Sequence, residues 1–291
     1  MQTSSSSANQ TMSRAATVVP PHAWFAVSAV FHYLGPSFAV LLFPAVGVLG
    51  VAWLRIASAA LIFAPITKPW RALRTAKNRT LLIAWGATLA AMNCSFYLAL
   101  SHLPISLVAA IEFVGTIGLA LYGVRSQRNF VAFATTIAGA SMLINATWSS
   151  DPIGLAWAFL NGVLFVIYVA LGHRVAQTGA GSGIEALGAA MTVAFVFVSP
   201  IGFNDAIHAF TDPTLLLAGI GVGVCSSVIP YVCDQLAMSR LPRASFALLL
   251  ALLPASATII GAIVLAQIPS GRDVVGIALV MAGVAVHRPG R

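Results

Sequence analysis

The sequence predicts an all-α integral membrane protein with ten transmembrane helices, arranged as two inverted five-helix repeats. Three observations predict this fold: the composition, the spacing of the apolar segments, and two similar segments that lie far apart in the chain. Of the 291 residues, 59% are hydrophobic and 8% are charged, whereas a soluble domain has about 25% charged residues. The composition therefore places the chain in a lipid bilayer.

Apolar segments of the length that crosses a membrane recur along the chain. A helix needs roughly 20 residues to cross about 30 Å of hydrocarbon. Ten segments meet this requirement, namely residues 23–43, 48–67, 80–100, 104–123, 129–146, 153–172, 184–203, 214–235, 243–266 and 273–287. The connections between them are short, so no extramembrane domain is expected there. The polar, Ser-rich residues 1–22 are predicted to form a disordered cytoplasmic tail.

The basic residues predict the orientation in the membrane. A net charge of +8 would also suit nucleic-acid binding, but Lys and Arg in membrane proteins concentrate in cytoplasmic loops. With a cytoplasmic N-terminus, 13 of the 15 Lys and Arg residues fall on the cytoplasmic side, Arg272 falls outside, and Arg55 lies within a helix. We therefore predict a multi-pass protein of the inner (plasma) membrane with both termini cytoplasmic. Its expected partners are the lipid bilayer and a small molecule rather than nucleic acid, and the sequence predicts no oligomeric state.

An internal similarity divides the chain into two halves. The segments YLALSHLP, residues 97–104, and QLAMSRLP, residues 235–242, lie 138 residues apart and each joins the third and fourth helix of a five-helix half. Because each half has an odd number of helices, the second copy must enter the membrane from the opposite side. We assign the first repeat to residues 23–146 and the second to residues 153–288.

Inverted repeats in a helical membrane protein are typical of secondary transporters, in which a central site opens alternately to each side. A channel and an intramembrane enzyme are alternatives, but neither predicts this symmetry as directly. An enzyme would need a nucleophile and a base at one depth, and His32 is the one histidine away from loops and helix ends. No catalytic group, cofactor or metal site is predicted, since the three cysteines lack metal-ligand spacing.

Two charged residues deep inside predicted helices are the main candidates for a binding site. A charge near the bilayer centre costs about 2.5 to 3.5 kcal/mol on insertion scales, so each such residue needs a partner or a watery cavity. At 1.5 Å per residue, Glu112 lies roughly 12 Å and Arg55 roughly 10 Å below the outer ends of their helices. The two side chains can therefore meet.

We hypothesise that Glu112 and Arg55 pair in a central polar cavity in which Asn93, Tyr97 and Asn161 provide hydrogen-bonding groups. A carboxylate can bind an ammonium group and a guanidinium can bind a carboxylate with two hydrogen bonds, so this set would suit a zwitterionic solute such as an amino acid. Glu112 is also a candidate for proton coupling. The alternative is a buried packing pair that fixes helix register and contacts no substrate.

Two prolines inside predicted helices, Pro230 and Pro254, are expected to kink them, because proline removes a backbone hydrogen bond. Interrupted helices near a repeat interface are where transporters often build their sites. A kink that only improves packing would give the same sequence pattern.

Three segments carry a family resemblance: LFPAVGVLGVAWLRIASA at residues 42–59, MNCSFYLALSHLPISLVAAIEFVGTIGLAL at 92–121, and SSVIPYVCDQLAMSRLPRASFALLLALLPASA at 226–257. With them the chain resembles the EamA-domain carriers of the drug/metabolite transporter superfamily, and within these the bacterial threonine/homoserine exporter group. The resemblance implies ten helices in two EamA repeats and efflux of small amphipathic metabolites such as amino acids, driven by an ion gradient. Two positions depart from the family pattern: Leu253 replaces a glutamate before Pro254, and Thr116 replaces a proline.

Two transport functions therefore remain open. The first is proton-coupled export of amino acids or related small metabolites by alternating access. The alternative is a multidrug or lipophilic-cation efflux carrier, for which a buried glutamate would suffice, although Arg55 would repel a cationic substrate. A scaffold that transports nothing would tolerate the loss of Glu112.

Overall fold

The computed structural model describes residues 19–75, 79–123, 126–147, 151–177, 183–238 and 252–287, and all regular secondary structure within these ranges is helical. The α-helices are α1 (Pro21–Val46), α2 (Val48–Thr67), α3 (Pro69–Thr75), α4 (Arg79–Leu100), α5 (Ile105–Gly123), α6 (Gln127–Thr147), α7 (Pro152–Gln177), α8 (Gly183–Ala206), α9 (Pro213–Gly223), α10 (Ile229–Met238), α11 (Leu253–Leu265) and α12 (Gly271–Val286). A 3-10 turn, Ile207–Thr211, follows α8, and a π-helical turn, Val224–Val228, joins α9 to α10.

Several of these helices are built to cross a membrane. In the described ranges, six helical segments are long and apolar enough to do so: α1, α2, α4, α7, α8 with its 3-10 turn, and the continuous segment from α9 into α10. This confirms an all-helical, multi-pass membrane protein. The arrangement of ten helices in two inverted repeats remains a prediction.

The helix boundaries follow most of the predicted apolar segments closely. One predicted loop contains an additional helix, and two predicted segments lie partly outside the described residues. The predicted loop after α2 contains the short helix α3, whose Arg71 and Arg74 are exposed. The predicted tail up to residue 18 and residues 239–251, where the ninth span was predicted to begin, lie outside the described residues. Of the predicted ninth segment, residues 243–266, the structure therefore describes the part from residue 252 onward, which contains α11.

The turn between α1 and α2 is a single residue, Gly47. Its φ of +79° lies in the region that glycine tolerates because it has no Cβ. Its amide donates to the carbonyl of Phe43 at 2.9 Å, which satisfies a carbonyl at the end of α1. A Cβ here would also lie 3.1 Å from Oδ2 of Asp205, so glycine fits both the turn and the neighbour.

Helices from the two predicted halves are interleaved. Helix α2 packs against α8, α4 packs against α7 and α8, α6 packs against α12, and α1 packs against α10 and α11. Small residues allow the backbones to approach closely, as is common between helices in membranes. At the contact between α6 and α12, a Cβ on Gly139 would lie 2.5 Å from the carbonyl oxygen of Gly276. This interleaving brings α2, α4, α5 and the π-helical turn around one polar region.

Candidate functional site

Arg55 lies in α2 and points toward the second predicted half of the chain. Its Nε donates to Oγ of Ser227 at 3.2 Å, and its Nη2 donates to the backbone carbonyl of Ser226 at 3.2 Å. Its Nη1 lies 3.5 Å from the hydroxyl of Tyr97 on α4. The guanidinium is therefore held by groups from two other helical segments.

Tyr97 supports Arg55 with its ring as well as its hydroxyl. The side chain is fully buried, and Cζ of Arg55 lies 5.5 Å from the ring centroid. A guanidinium within about 6 Å of an aromatic ring is attracted by the ring's quadrupole. Phe43 of α1 contacts the same ring edge to face, with 5.8 Å between centroids. Tyr97 thus fills the space between Arg55 and α1.

Glu112 lies in α5, after a run of buried residues that ends at Ile111. The charges of Glu112 and Arg55 interact through space, so the two residues belong to one electrostatic cluster. The α7 backbone passes close by, since a Cβ on Gly162 would lie 3.9 Å from Cα of Glu112. The structure thus places the predicted acid and the predicted base in the same region, while their role in binding remains a prediction.

The side-chain amides of the two asparagines predicted for the site, Asn93 and Asn161, differ in their hydrogen bonding. Asn93 is buried on α4 and its Nδ2 donates to the carbonyl of Leu89 in the same helix at 2.8 Å. Asn161 is 1% exposed on α7, and among the described residues neither its Nδ2 nor its Oδ1 has a hydrogen-bond partner. A buried polar atom without a partner costs about 1 to 3 kcal/mol. Asn161 is therefore the better candidate to bind a ligand.

Sequence reasoning missed several polar residues of this cluster. Ser226 and Ser227 bind Arg55 directly. Tyr33 of α1 and Tyr231 of α10 are close enough to Glu112 for its charge to act on their hydroxyl groups. Tyr231 also forms a hydrogen bond with Tyr168 of α7 through their hydroxyl groups. The only sequence signal for the serines was their place in an apolar span just before Pro230.

The two predicted helix-kinking prolines occupy different positions. Pro230 follows the π-helical turn, so the regular α-helical pattern is interrupted immediately before it. Pro254 is the second residue of α11, where proline is tolerated because the first amides of a helix have no intrahelical partner. Neither position establishes a functional kink, which remains a prediction for both residues.

An apolar crevice of about 240 Å³ opens between α5 and α7. It is lined by Ile111, Val114, Gly115, Phe159, Gly162, Val163, Val166 and Ile167. Phe159 and Val163 are among the exposed large apolar residues, so this side of the crevice faces the surroundings of the bundle. Because its lining offers no charged group, it does not by itself suit a zwitterionic solute.

A contact between His102 and Asp151 links the loop after α4 to the start of α7. Nδ1 of His102 lies 2.9 Å from Oδ2 of Asp151. The other oxygen, Oδ1 of Asp151, accepts a hydrogen bond from the amide of Gly154 at 2.8 Å, which caps the N-terminus of α7. The amide of Gly154, with a smaller contribution from His102, holds the pKa of the Asp151 carboxyl below its ordinary value, although burial opposes this.

Replacing Asp151 with Asn is expected to lower the unfolding temperature of the purified protein modestly at pH 7. Because the folded-state pKa is lowered, this stabilisation is complete above the ordinary pKa of aspartate and is lost as pH falls through the folded value. Thermal unfolding from pH 7 downward should show the variant approaching the wild type below about pH 4. His102→Ala, which leaves the Gly154 contact intact, should cause a smaller loss. Equal unfolding temperatures for D151N and the wild type at pH 7 would contradict this account.

Apolar helices around a partly buried cluster of opposite charges, Arg55 and Glu112, define a multi-pass membrane protein of the transporter class. The chain belongs to the EamA-like transporter family, whose sequence profile matches residues 152–287. This confirms the resemblance seen in the sequence. The family is one of transporters and not of enzymes.

The chain is similar to proteins named threonine/homoserine exporter RhtA. It is 32% identical over 252 residues to the protein of Salmonella typhimurium strain LT2, an alignment that covers 85% of this chain and 84% of that one. It is 35% identical over 237 residues to the protein of Escherichia coli strain K12, covering 80% and 79%. A solved crystal structure also shares the fold, with a TM-score of 0.56, 16% identity and coverage of 91% of this chain and 96% of the other.

Proposed function

We propose that this protein is a secondary active transporter that exports amino acids resembling threonine or homoserine, or related small metabolites. The observation that carries this proposal is the presence of Arg55 and Glu112, from α2 and α5, in one cluster within the helical bundle. Ionisable residues inside membrane segments are rare and usually mark a substrate or ion pathway. The similarity to threonine/homoserine exporters over 80% or more of the chain supports the substrate class.

The cluster has the groups that a zwitterionic amino acid requires. In this proposal Arg55 binds the substrate carboxylate and Glu112 binds its ammonium group, each by a charge-assisted hydrogen bond. Tyr97 and Asn93 line the rest of the proposed site. The amide of Asn161, which has no partner in the described part of the chain, binds the substrate's hydroxyl group or other polar part. A lipophilic cation would leave Arg55 without a counter-charge, so this chemistry favours the amino acid over the cation.

The proposed mechanism is alternating access in a ten-helix protein with two inverted repeats, residues 23–146 and 153–288, and both termini in the cytoplasm. The odd number of predicted spans per half, the similar segments at residues 97–104 and 235–242, and the family match over residues 152–287 support this arrangement. Export is proposed to be coupled to proton entry, with Glu112 carrying the proton when substrate is absent.

Everted membrane vesicles containing the protein are expected to accumulate radiolabelled L-threonine or L-homoserine, because an exporter transports toward the vesicle interior in this orientation. Uptake should be compared with vesicles that lack the protein, and a panel of nucleobases and cationic dyes should be measured in parallel. Accumulation of the dyes alone would contradict this proposal and would favour multidrug efflux instead.

Proton coupling makes a separate prediction in the same vesicles. An inside-acidic pH gradient should increase the initial rate of amino-acid uptake, and an uncoupler should abolish that increase, because proton exit then drives substrate entry. An uptake rate that does not respond to the gradient or the uncoupler would contradict proton coupling but would not contradict export.

A further inference from the structure

One edge of the Arg55 guanidinium donates hydrogen bonds to two consecutive residues of the π-helical turn. Nε binds the hydroxyl oxygen of Ser227 and Nη2 binds the carbonyl oxygen of Ser226, both at 3.2 Å. Nε and Nη2 form one side of the planar, rigid guanidinium fork. Two hydrogen bonds on one side fix the plane of the group and leave Nη1 on the other side. One hydrogen of Nη1 is directed to the hydroxyl of Tyr97, at 3.5 Å, and the second is available to a ligand.

The availability of the Ser226 carbonyl has a cause in the sequence. In a regular α-helix the carbonyl of residue 226 would accept from the amide of residue 230. Residue 230 is proline, which has no amide hydrogen to donate. The amide of Ile229 instead donates to Val224, five residues earlier, as in a π-helical turn. Arg55 therefore supplies a donor where the helix cannot supply the usual one.

Two glycines allow the turn to come this close to α2. A Cβ on Gly223 would collide with Oγ of Ser58 and lie 2.8 Å from the carbonyl oxygen of Arg55. A Cβ on Gly219, one turn earlier, would lie 2.5 Å from Cδ1 of Leu54. Close backbone approach at small residues is a recognised way of packing helices in membranes. Close packing of the backbone at these two glycines thus sets the distance between the π-helical turn and Arg55.

We infer that Ser227 and the carbonyl of Ser226 are positioning groups, which hold the Nε and Nη2 side of Arg55 so that its Nη1 side presents hydrogen-bond donors to a substrate carboxylate. This inference rests on the proposed function, because it assigns Arg55 the carboxylate. It extends that proposal by giving the second predicted repeat a defined part in the site. It also explains why a proline occupies position 230.

The test is the kinetics of L-threonine uptake by Ser227→Ala in everted vesicles. The variant should raise KM about tenfold with little change in kcat, because Arg55 loses one of the two hydrogen bonds that fix its plane; a tenfold change corresponds to about 1.4 kcal/mol. Ser227→Thr, which keeps the hydroxyl, should restore KM. Pro230→Ala, which returns an amide hydrogen able to compete for the Ser226 carbonyl, should also raise KM.

A matched control is Ser95→Ala on α4. Ser95 is equally buried, but within the described ranges its hydroxyl bonds only to carbonyls of its own helix, those of Ala91 at 2.9 Å and Met92 at 3.0 Å. Its replacement should leave KM unchanged. An unchanged KM for S227A, or an equal rise for S95A, would overturn the inference.

A second measurement does not depend on the substrate. In detergent, the change in unfolding temperature caused by S227A should largely disappear when Arg55 is already Gln, since residues in contact give non-additive effects. The effect of S95A should be the same in both backgrounds. Additive effects of R55Q and S227A would overturn the inference whatever the protein transports. If the effects of R55Q and S227A on the unfolding temperature were non-additive but no amino acid were taken up, the contact between the two residues would be supported and the proposed function would be rejected.

Discussion

Glu112→Gln is expected to reduce amino-acid export by about tenfold or more while leaving the protein folded and in the membrane. The amide keeps the size of the side chain but removes the charge that would bind the substrate ammonium, a charge-assisted interaction of about 1.5 to 3 kcal/mol. It also removes the group that would carry the proton. Because a buried carboxylate costs about 2.5 to 3.5 kcal/mol on insertion scales, the neutral variant should unfold at the same or a higher temperature.

The matched control is Glu185→Gln, the same chemical change at an exposed position in the first turn of α8. Export should be normal in that variant. Uptake should be measured in everted vesicles and divided by the amount of protein in the membrane. Normal export by E112Q would show that Glu112 is a packing residue, and a lower unfolding temperature would show that it stabilises the fold.

Gly139→Leu is expected to have the largest effect on stability. Residue 139 faces α12 so closely that even a Cβ would lie 2.5 Å from the carbonyl oxygen of Gly276 and 2.8 Å from the amide nitrogen of Val280. These are backbone atoms, which cannot rotate away as a side chain could. Overpacking in a core usually costs about 1 to 3 kcal/mol, and we expect about 3 kcal/mol or more at this contact.

The measurement is the fraction of protein extracted in monodisperse form, together with its unfolding temperature. Gly221→Leu is a suitable control, because no atom of the residues that the structure describes lies within 4 Å of a Cβ at this position in α9. The control should be extracted normally. If G139L and G221L behaved alike, the close contact between α6 and α12 would not be a determinant of the fold.

The sequence alone predicted most of the helical segments. The apolar segment 48–67 has the same bounds as α2, and the segments of α4 and α5 agree to within one residue at each end. This success has a simple cause: a membrane segment must satisfy its backbone hydrogen bonds internally, so local composition specifies it. The short helix α3 was missed because its seven residues, PWRALRT, lack a long apolar pattern.

The candidate site was predicted only in part. Glu112 and Arg55 stood out because an isolated charge in an apolar segment is visible without any knowledge of its neighbours. Ser226 and Ser227 did not stand out, because serine is ordinary in a membrane helix and gains a role here only by facing Arg55. Asn161 was selected by sequence, but the fact that its amide has no partner could come only from the packing around it.

The sequence by itself determined that this chain lies in a membrane, which segments are helical and which charges lie within apolar segments, since each of these depends on the chemistry of a few neighbouring residues. The tertiary structure decided which helices meet. It brought the π-helical turn from one predicted half against α2 from the other, through glycines that allow backbone contact. Such a contact depends on the rotation and depth of two helices separated by more than 150 residues, and no local pattern encodes it.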